Sequence, residues 1–235
     1  MIEAYISNLG KYNEGELCGE YLKLPASKDD VKALLSRIGV DGVVYEETFI
    51  TDYETGVEGL ANCLGEYESV DELNYLASAL CDLDDRDIAK FEAALDFGEH
   101  TSSVKELINL AQNLDCYDIY YDIGDHDDLG RYYLEEYGIM DVPDHMAGYI
   151  DYESYGRDVA INDGGVFTKQ GYITENGERF IEYYGGRDEI PREYMIFEYP
   201  ETSVKLPVKV QLEMYGRMVS EATAADRPAL ARDAR

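Results

Sequence analysis

Ser27-Lys-Asp-Asp-Val-Lys-Ala-Leu-Leu-Ser-Arg-Ile-Gly39 decides how the first part of the chain is read. Ser27 offers the side chain of an N-cap, and Asp29 and Asp30 put carboxylates into the first turn. Val31, Leu34, Leu35 and Ile38 then recur at helical spacing until Gly39 stops the run. On either side the period changes from helical to two. Residues 2–7 alternate, Asn13-Glu14-Gly15 turns, residues 16–24 continue toward Pro25, and 43–50 reads as a third strand. A helix set among strands makes residues 1–65 a small α/β unit.

Residues 66–113 change character. Two capping boxes, Ser69-x-x-Glu72 and Ser103-x-x-Glu106, start helices, and 84–96 fits a third with Ile88, Phe91, Ala94 and Leu95 inward. After them, 116–123 alternates like a strand, 125–137 reads as a helix closed by Gly138, and 151–158 reads as another. Residues 166–184 suggest a strand meander in which Asn176-Gly177 is the hairpin turn. Beyond Gly185-Gly186 there is a strand-like stretch at 194–199 and a helix over 207–218. The Ala-, Arg- and Asp-rich residues from Ser220 onward have little to bury and are expected to be mobile and dispensable. The expected fold class is α+β, a row of three small domains with an extension: α/β over 1–65, helical over 66–113, α/β over 114–185, then 186–235.

Charge is the anomaly in the composition. Fifty Asp and Glu against twenty Lys and Arg give a net −30, and residues 1–185 alone hold 41 acids and 12 bases. Between Val40 and Gly130 the only bases are Arg86, Lys90 and Lys105, against 24 acids. Self-repulsion on this scale destabilises a compact state. With 45% hydrophobic residues and 22 tyrosines the chain nevertheless has the material for a core. A field of this sign repels phosphate and anionic lipid, which argues against direct nucleic-acid or membrane-surface binding. No apolar run approaches the ~20 residues of a membrane span. Four scattered cysteines, with no C-x-x-C pair and no leader-like segment, read as reduced thiols in a cytoplasm.

Signals for chemistry are sparse. There is no phosphate-binding glycine loop, no H-E-x-x-H and no G-x-S-x-G. His100, His126 and His145 are not spaced as ligand pairs and read as surface or turn residues, and carboxylate pairs carry no specificity among fifty acids. The run from Asp118 to Asp128 supplies oxygen ligands that calcium takes. EF-hand spacing fails, because counting Asp122 as position 1 puts Asp127 where Gly is needed and Tyr133 where Glu is needed. The expectation is no enzyme activity and no cofactor. The paired tyrosines Tyr120-Tyr121, Tyr132-Tyr133 and Tyr183-Tyr184 are interleaved with acids, and core packing and interface both remain open for them.

Three separated strings, Asn8-Leu-Gly-Lys-Tyr-Asn-Glu-Gly-Glu-Leu17, Gly130-Arg-Tyr-Tyr-Leu-Glu-Glu-Tyr-Gly138 and Tyr149-Ile-Asp-Tyr-Glu-Ser-Tyr-Gly-Arg-Asp158, resemble the ArdA antirestriction family in order and spacing. The resemblance covers about residues 1–185. It implies an elongated, curved, acidic homodimer, carried by mobile genetic elements, that imitates bent B-form DNA. Such a dimer occupies the DNA-binding channel of type I restriction–modification enzymes, whose methyltransferase core would be the partner. Residues 129–137 correspond to the family's hydrophobic antirestriction motif near its dimer contact. Leu129, Tyr132, Tyr133, Leu134 and Tyr137 are therefore the expected dimer residues.

Charge density tests that implication. Duplex DNA carries one charge per about 1.7 Å, so two copies of the acidic core match roughly 100 Å, or about 30 base pairs. A compact core of this mass exposes on the order of 9,000 Å², roughly 300 Å² per net charge, against about 110 Å² on a duplex. A uniformly acidic sphere falls short about threefold. Mimicry requires an elongated shape with acids gathered on one face and the few bases placed elsewhere. The expected partner-binding acids are Glu46, Glu47, Asp52, Glu54, Glu66, Glu68, Asp71, Glu72, Asp82, Asp84, Asp85, Asp87, Asp115, Asp118, Asp122, Asp125, Asp127, Asp128, Glu135 and Glu136. Two other readings compete, an acidic chaperone or sequestering protein for basic DNA-binding partners, and a calcium-binding or carboxylate-dependent protein.

Overall fold

A computed structural model describes residues 1–143 and 145–201. The helix expected over 207–218 and the tail from Ser220 lie outside these residues. The described chain is mixed α and β, with two small antiparallel sheets.

In the first sheet the strand β1 (Ile2–Asn8) lies between β2 (Gly19–Leu24) and β3 (Thr48–Thr55), antiparallel to both. A short helix α1 (Leu9–Asn13) follows β1. Alternation along β1 buries Ile2, Ala4 and Ile6, and the helix α2 (Lys28–Ile38) buries Val31, Leu34, Leu35 and Ile38 in the same core. The start of α2 is a complete capping box, with Ser27 accepting from the Asp30 amide and the Asp30 carboxylate accepting from the Ser27 amide. Its end is Gly39 at φ 78°, a left-handed turn that glycine adopts without a Cβ penalty.

The third strand begins later than the 43–50 expected from the sequence. Asp41 Oδ1 accepts the backbone N–H groups of Val43, Val44 and Tyr45 at 2.8 to 3.1 Å. That side chain folds the apolar stretch into a turn and removes its donors from any ladder.

Three helices follow, α3 (Val70–Cys81), α4 (Asp85–Phe97) and α5 (Val104–Ala111), capped by Ser69, Asp84 and Ser103. Both expected capping boxes are only half formed. Ser69 and Ser103 accept as expected, but Glu72 turns away to Tyr184 and Arg187, and Glu106 reaches the Ser102 amide instead of that of Ser103.

In the last part β4 (Tyr117–Tyr120) is followed by α6 (His126–Arg131), which widens into a π-helical turn over Tyr132–Glu136. Next come α7 (Tyr152–Asp163), β5 (Val166–Thr168) and β6 (Gly171–Glu175), with β6 central between β4 and β5. The hairpin therefore turns at Lys169-Gln170. Asn176-Gly177 is a turn, with Gly177 at φ 81°, yet the residues beyond it pair with no described strand. Residues 180–184 give their peptide groups to Asn109 and Asn113, and the expected strand at 194–199 gives two of its amides to Asp71.

A continuous cluster of buried side chains runs from Ile2 through the three helices to Tyr117, Ile173, Tyr184 and Ile196, so all four stretches of the sequence contribute to it. A smaller cluster gathers Ile123, Leu129 and Tyr172. All four cysteines are unpaired. Among the described residues no helix is long and apolar enough to cross a membrane.

Candidate acidic interface

Sixteen of the twenty candidate acids are exposed, and the fold explains where they stand. Glu46 and Glu47 occupy the loop before β3. Asp52 and Glu54 point from the outer face of β3, and Glu66 follows in an exposed turn. On that face Glu54 lies directly across from Glu3 of β1. Like charges opposite one another on neighbouring strands are destabilising, so stability alone does not select this placement, although Lys23 stands 3.9 Å from Glu3 on the other side. Glu3 was legible as a candidate too, since the alternation of residues 2–6 puts it on the outer face. Asp52 accepts the Tyr21 hydroxyl at 2.5 Å, which pushes that phenol up to about 12.

Asp82, Asp84, Asp85 and Asp87 crowd the junction of α3 and α4, where Asp84 also caps the amides of Arg86 and Asp87. The helix N-terminus is the favourable end for such charge. Asp115 and Asp118 flank the start of β4, and Asn176 bridges the Asp115 carbonyl and the Asp118 carboxylate. Asp122, Asp128 and Glu136, with Arg131, line an open cleft of about 230 Å³ walled by Tyr121 and Tyr132. Glu135 accepts the hydroxyl of the buried Tyr152.

The other four differ. Glu68 is half-buried and accepts the Gly65 amide. Asp71 is half-buried and accepts the amides of Ile196 and Phe197. Glu72 is 4% exposed, held between the Tyr184 hydroxyl and Arg187. Asp127, half-buried, pairs with Arg131 at 2.7 Å.

Cations are partly separated from this set: seven of the fourteen described lysines and arginines pair with acids outside it, whereas Arg86 stands between Asp85 and Asp87. Among the described residues Lys28 and Lys32 meet Glu198, Arg37 meets Glu20, Lys105 meets Glu182, Arg157 meets Glu153 and Lys169 meets Glu58. Arg131 with Asp127, and Arg187 with Glu68 and Glu72, are the ion pairs that involve candidates. Two of the acids considered for calcium are turned to the backbone, Asp125 capping the Asp128 amide and Asp128 accepting the Gly124 amide, and Asp127 is paired with Arg131. Among the described residues no three His, Cys, Asp or Glu side chains converge as metal ligands.

The aromatic stripe divides. Leu129 and Leu134 are buried. Tyr132 packs on Tyr120, and Tyr133 donates to Asp163 at 2.9 Å, its phenol raised by burial and by that carboxylate. Tyr137 is 68% exposed and begins a run of exposed apolar residues that continues through Ile139, Met140, Met146 and Tyr149.

A model of the family described as antirestriction protein (ArdA) matches residues 4–174. No curated protein matches the chain.

Proposed function

The chain belongs to the ArdA antirestriction family, and on that premise we propose that it inhibits type I restriction–modification enzymes as a mimic of bent B-form DNA. The observation that carries this reading is the sorting of charge. Sixteen candidate carboxylates stand exposed, while seven of the fourteen described lysines and arginines are matched to acids outside the set. In this reading the exposed carboxylates gather on one face, which is what meeting the threefold shortfall of a uniformly acidic sphere requires. Such a face is complementary to a channel built to bind phosphates, where each exposed pair contributes about 0.2 to 1 kcal/mol and many pairs add up.

In the same reading the three units over 1–65, 66–113 and 114–185 follow one another along an elongated acidic body, and two copies join through the third. Exposed Tyr137, Ile139, Met140, Met146 and Tyr149 support that joint, because large apolar side chains left in water along one stretch of chain favour an interaction site there. Inhibition then takes place in the cytoplasm, where the enzyme meets incoming DNA. Light scattering at micromolar concentration is expected to give a dimer, and Tyr137→Ser combined with Tyr149→Ser a folded monomer. A wild-type monomer would remove the dimer from this reading.

Titration into a type I methyltransferase core bound to labelled duplex tests the function. Displacement is expected near stoichiometry. Failure to displace duplex, together with equal binding to unrelated basic proteins, would favour the sequestering alternative.

A further inference from the structure

After β6 the chain runs from residue 178 to 199 with no helix or strand beyond two single 3₁₀ turns, Arg187–Glu189 and Arg192–Tyr194. Backbone in this state still needs partners for its N–H and C=O groups when it lies against a core. Side chains on the helices supply them. Asn113 donates to the Ile181 carbonyl and accepts the Ile181 amide, both at 2.8 Å. Four residues earlier, in the last turn of α5, Asn109 Oδ1 accepts the amides of Tyr183 and Tyr184 at 2.8 and 2.9 Å, while Asn113 lies just past the helix end. Its Nδ2 donates to the Tyr184 carbonyl at 2.9 Å. On α3, Asp71 accepts the amides of Ile196 and Phe197 at 2.6 and 2.7 Å, and Asn74 donates to the Tyr194 carbonyl at 3.3 Å.

The chemistry is that of a peptide reader. A carboxamide carries a donor and an acceptor side by side and matches the main chain of an extended segment whatever its side chains are. Asn74, Asn109 and Asn113 are each at most 5% exposed. Asn109 and Asn113 also donate to the Lys105 and Asn109 carbonyls, and Asn74 accepts the Ala26 amide; the segment takes up the rest of their hydrogen-bonding capacity. Side chains of the segment fill the gaps between these contacts: Tyr184 and Ile196 are buried, Phe180 stacks on His100 and Tyr194 on Tyr75. Further along, Glu198 meets Lys28 and Lys32 of α2, and Tyr199 donates to the Glu46 carbonyl while its ring lies against Gly42. One segment therefore touches α5, α3, α2 and the loop carrying Glu46 and Glu47. All of it lies beyond residue 174, where the family match ends.

We propose that α3, through Asp71 and Asn74, and the end of α5 with the residue just beyond it, through Asn109 and Asn113, form a groove that binds an extended peptide through its main chain. Its occupant is the chain's own segment 180–199, which acts as a strap that stays bound without its covalent connection to β6 and holds the Glu46–Glu47 loop to the helical layer. The groove and its occupant do not depend on what the acidic surface binds.

The test uses the full chain with a protease site inserted at Gly177, an exposed turn where an added Cβ meets nothing within 4 Å. After cutting, the fragment from residue 178 onward is expected to co-elute with residues 1–177 in native size exclusion, and Asn109→Ala with Asn113→Ala is expected to release it. A second measurement needs no cutting. Hydrogen exchange at the amides of Ile181, Tyr183, Tyr184, Ile196 and Phe197 is expected to be slowed at least a hundredfold relative to free peptide. Asn113→Ala should speed exchange at Ile181 at least tenfold while Ile196 stays protected. Separation of the wild-type fragment on cutting, equal retention by the double variant, or free-peptide exchange at these amides would overturn the strap. None of these readouts involves a restriction enzyme, so they fail or succeed apart from the proposed inhibition.

Discussion

Neutralising Glu54, Glu66, Asp82 and Asp85 together is expected to weaken displacement of duplex from a methyltransferase core about thirtyfold, while each single change weakens it only two- to threefold. The four are exposed, and none is the acceptor that caps a helix. Contacts between exposed charges contribute about 0.5 kcal/mol each, so four sum to about 2 kcal/mol. Asp84 and Asp125 are left out because they cap α4 and α6, and Asp71 and Glu72 because they hold the segment after β6. Changing any of those confounds binding with folding. Raised salt should lower inhibition in the same graded way, since exposed charges are screened over about 8 to 10 Å near physiological ionic strength. A catalytic or metal-binding carboxylate behaves differently, losing activity by orders of magnitude when removed alone. One substitution that destroys inhibition in a folded protein, with the fourfold variant unaffected, would replace the distributed mechanism by a single-site one.

Where chain-local chemistry decided the structure, the sequence could be read. Ser27, Asp30, Val31, Leu34 and Gly39 contain every contact needed to start, face and stop α2. Ser69, Asp84 and Ser103 placed three more helix starts correctly. The reading failed where a distant partner outbid a near one. Glu72 matches a capping box, but its carboxylate meets Tyr184 and Arg187, more than a hundred positions later. Asn109 and Asn113 look like polar helix residues and instead replace the strand that residues 180–184 were expected to pair with. Asp41 shows the same effect at short range, drawing three amides out of an expected strand. In the acidic set, the charge run and strand alternation made exposure legible for most members. Nothing local marked Asp71 and Glu72 as structural, because the groups that hold them come from the far end of the described chain.

Replacing Gly156 by alanine is expected to cost about 3 kcal/mol or more. A Cβ at Gly156 would lie 1.8 Å from the His126 carbonyl oxygen and 2.7 Å from the Gly130 nitrogen, and one at Gly130 would lie 2.0 Å from the Tyr152 carbonyl oxygen. The two helices α6 and α7 thus cross with their backbones in contact, closer than side-chain-bearing helices pack. The obstructing atoms are main chain within helices, so no rotamer change relieves the clash and the helices must separate. Overpacking of a core ordinarily costs ~1–3 kcal/mol, and occasionally more. Separation here also draws Leu129 away from Tyr172, their shared cluster being small. For a chain of this size each kcal/mol lowers the melting temperature by about 2–4 °C, so a fall of roughly 6–12 °C is expected by calorimetry. Gly148→Ala is the control, since an added Cβ there meets nothing within 4 Å and should leave melting unchanged. Because the surface from Tyr137 to Tyr149 hangs between α6 and α7, Gly156→Ala should also abolish the dimer, with the carboxylates of β3 and of the α3–α4 junction untouched. Inhibition that survives as a monomer would assign the binding to those carboxylates alone. An unchanged melting temperature for Gly156→Ala would show that the two helices do not cross at these glycines.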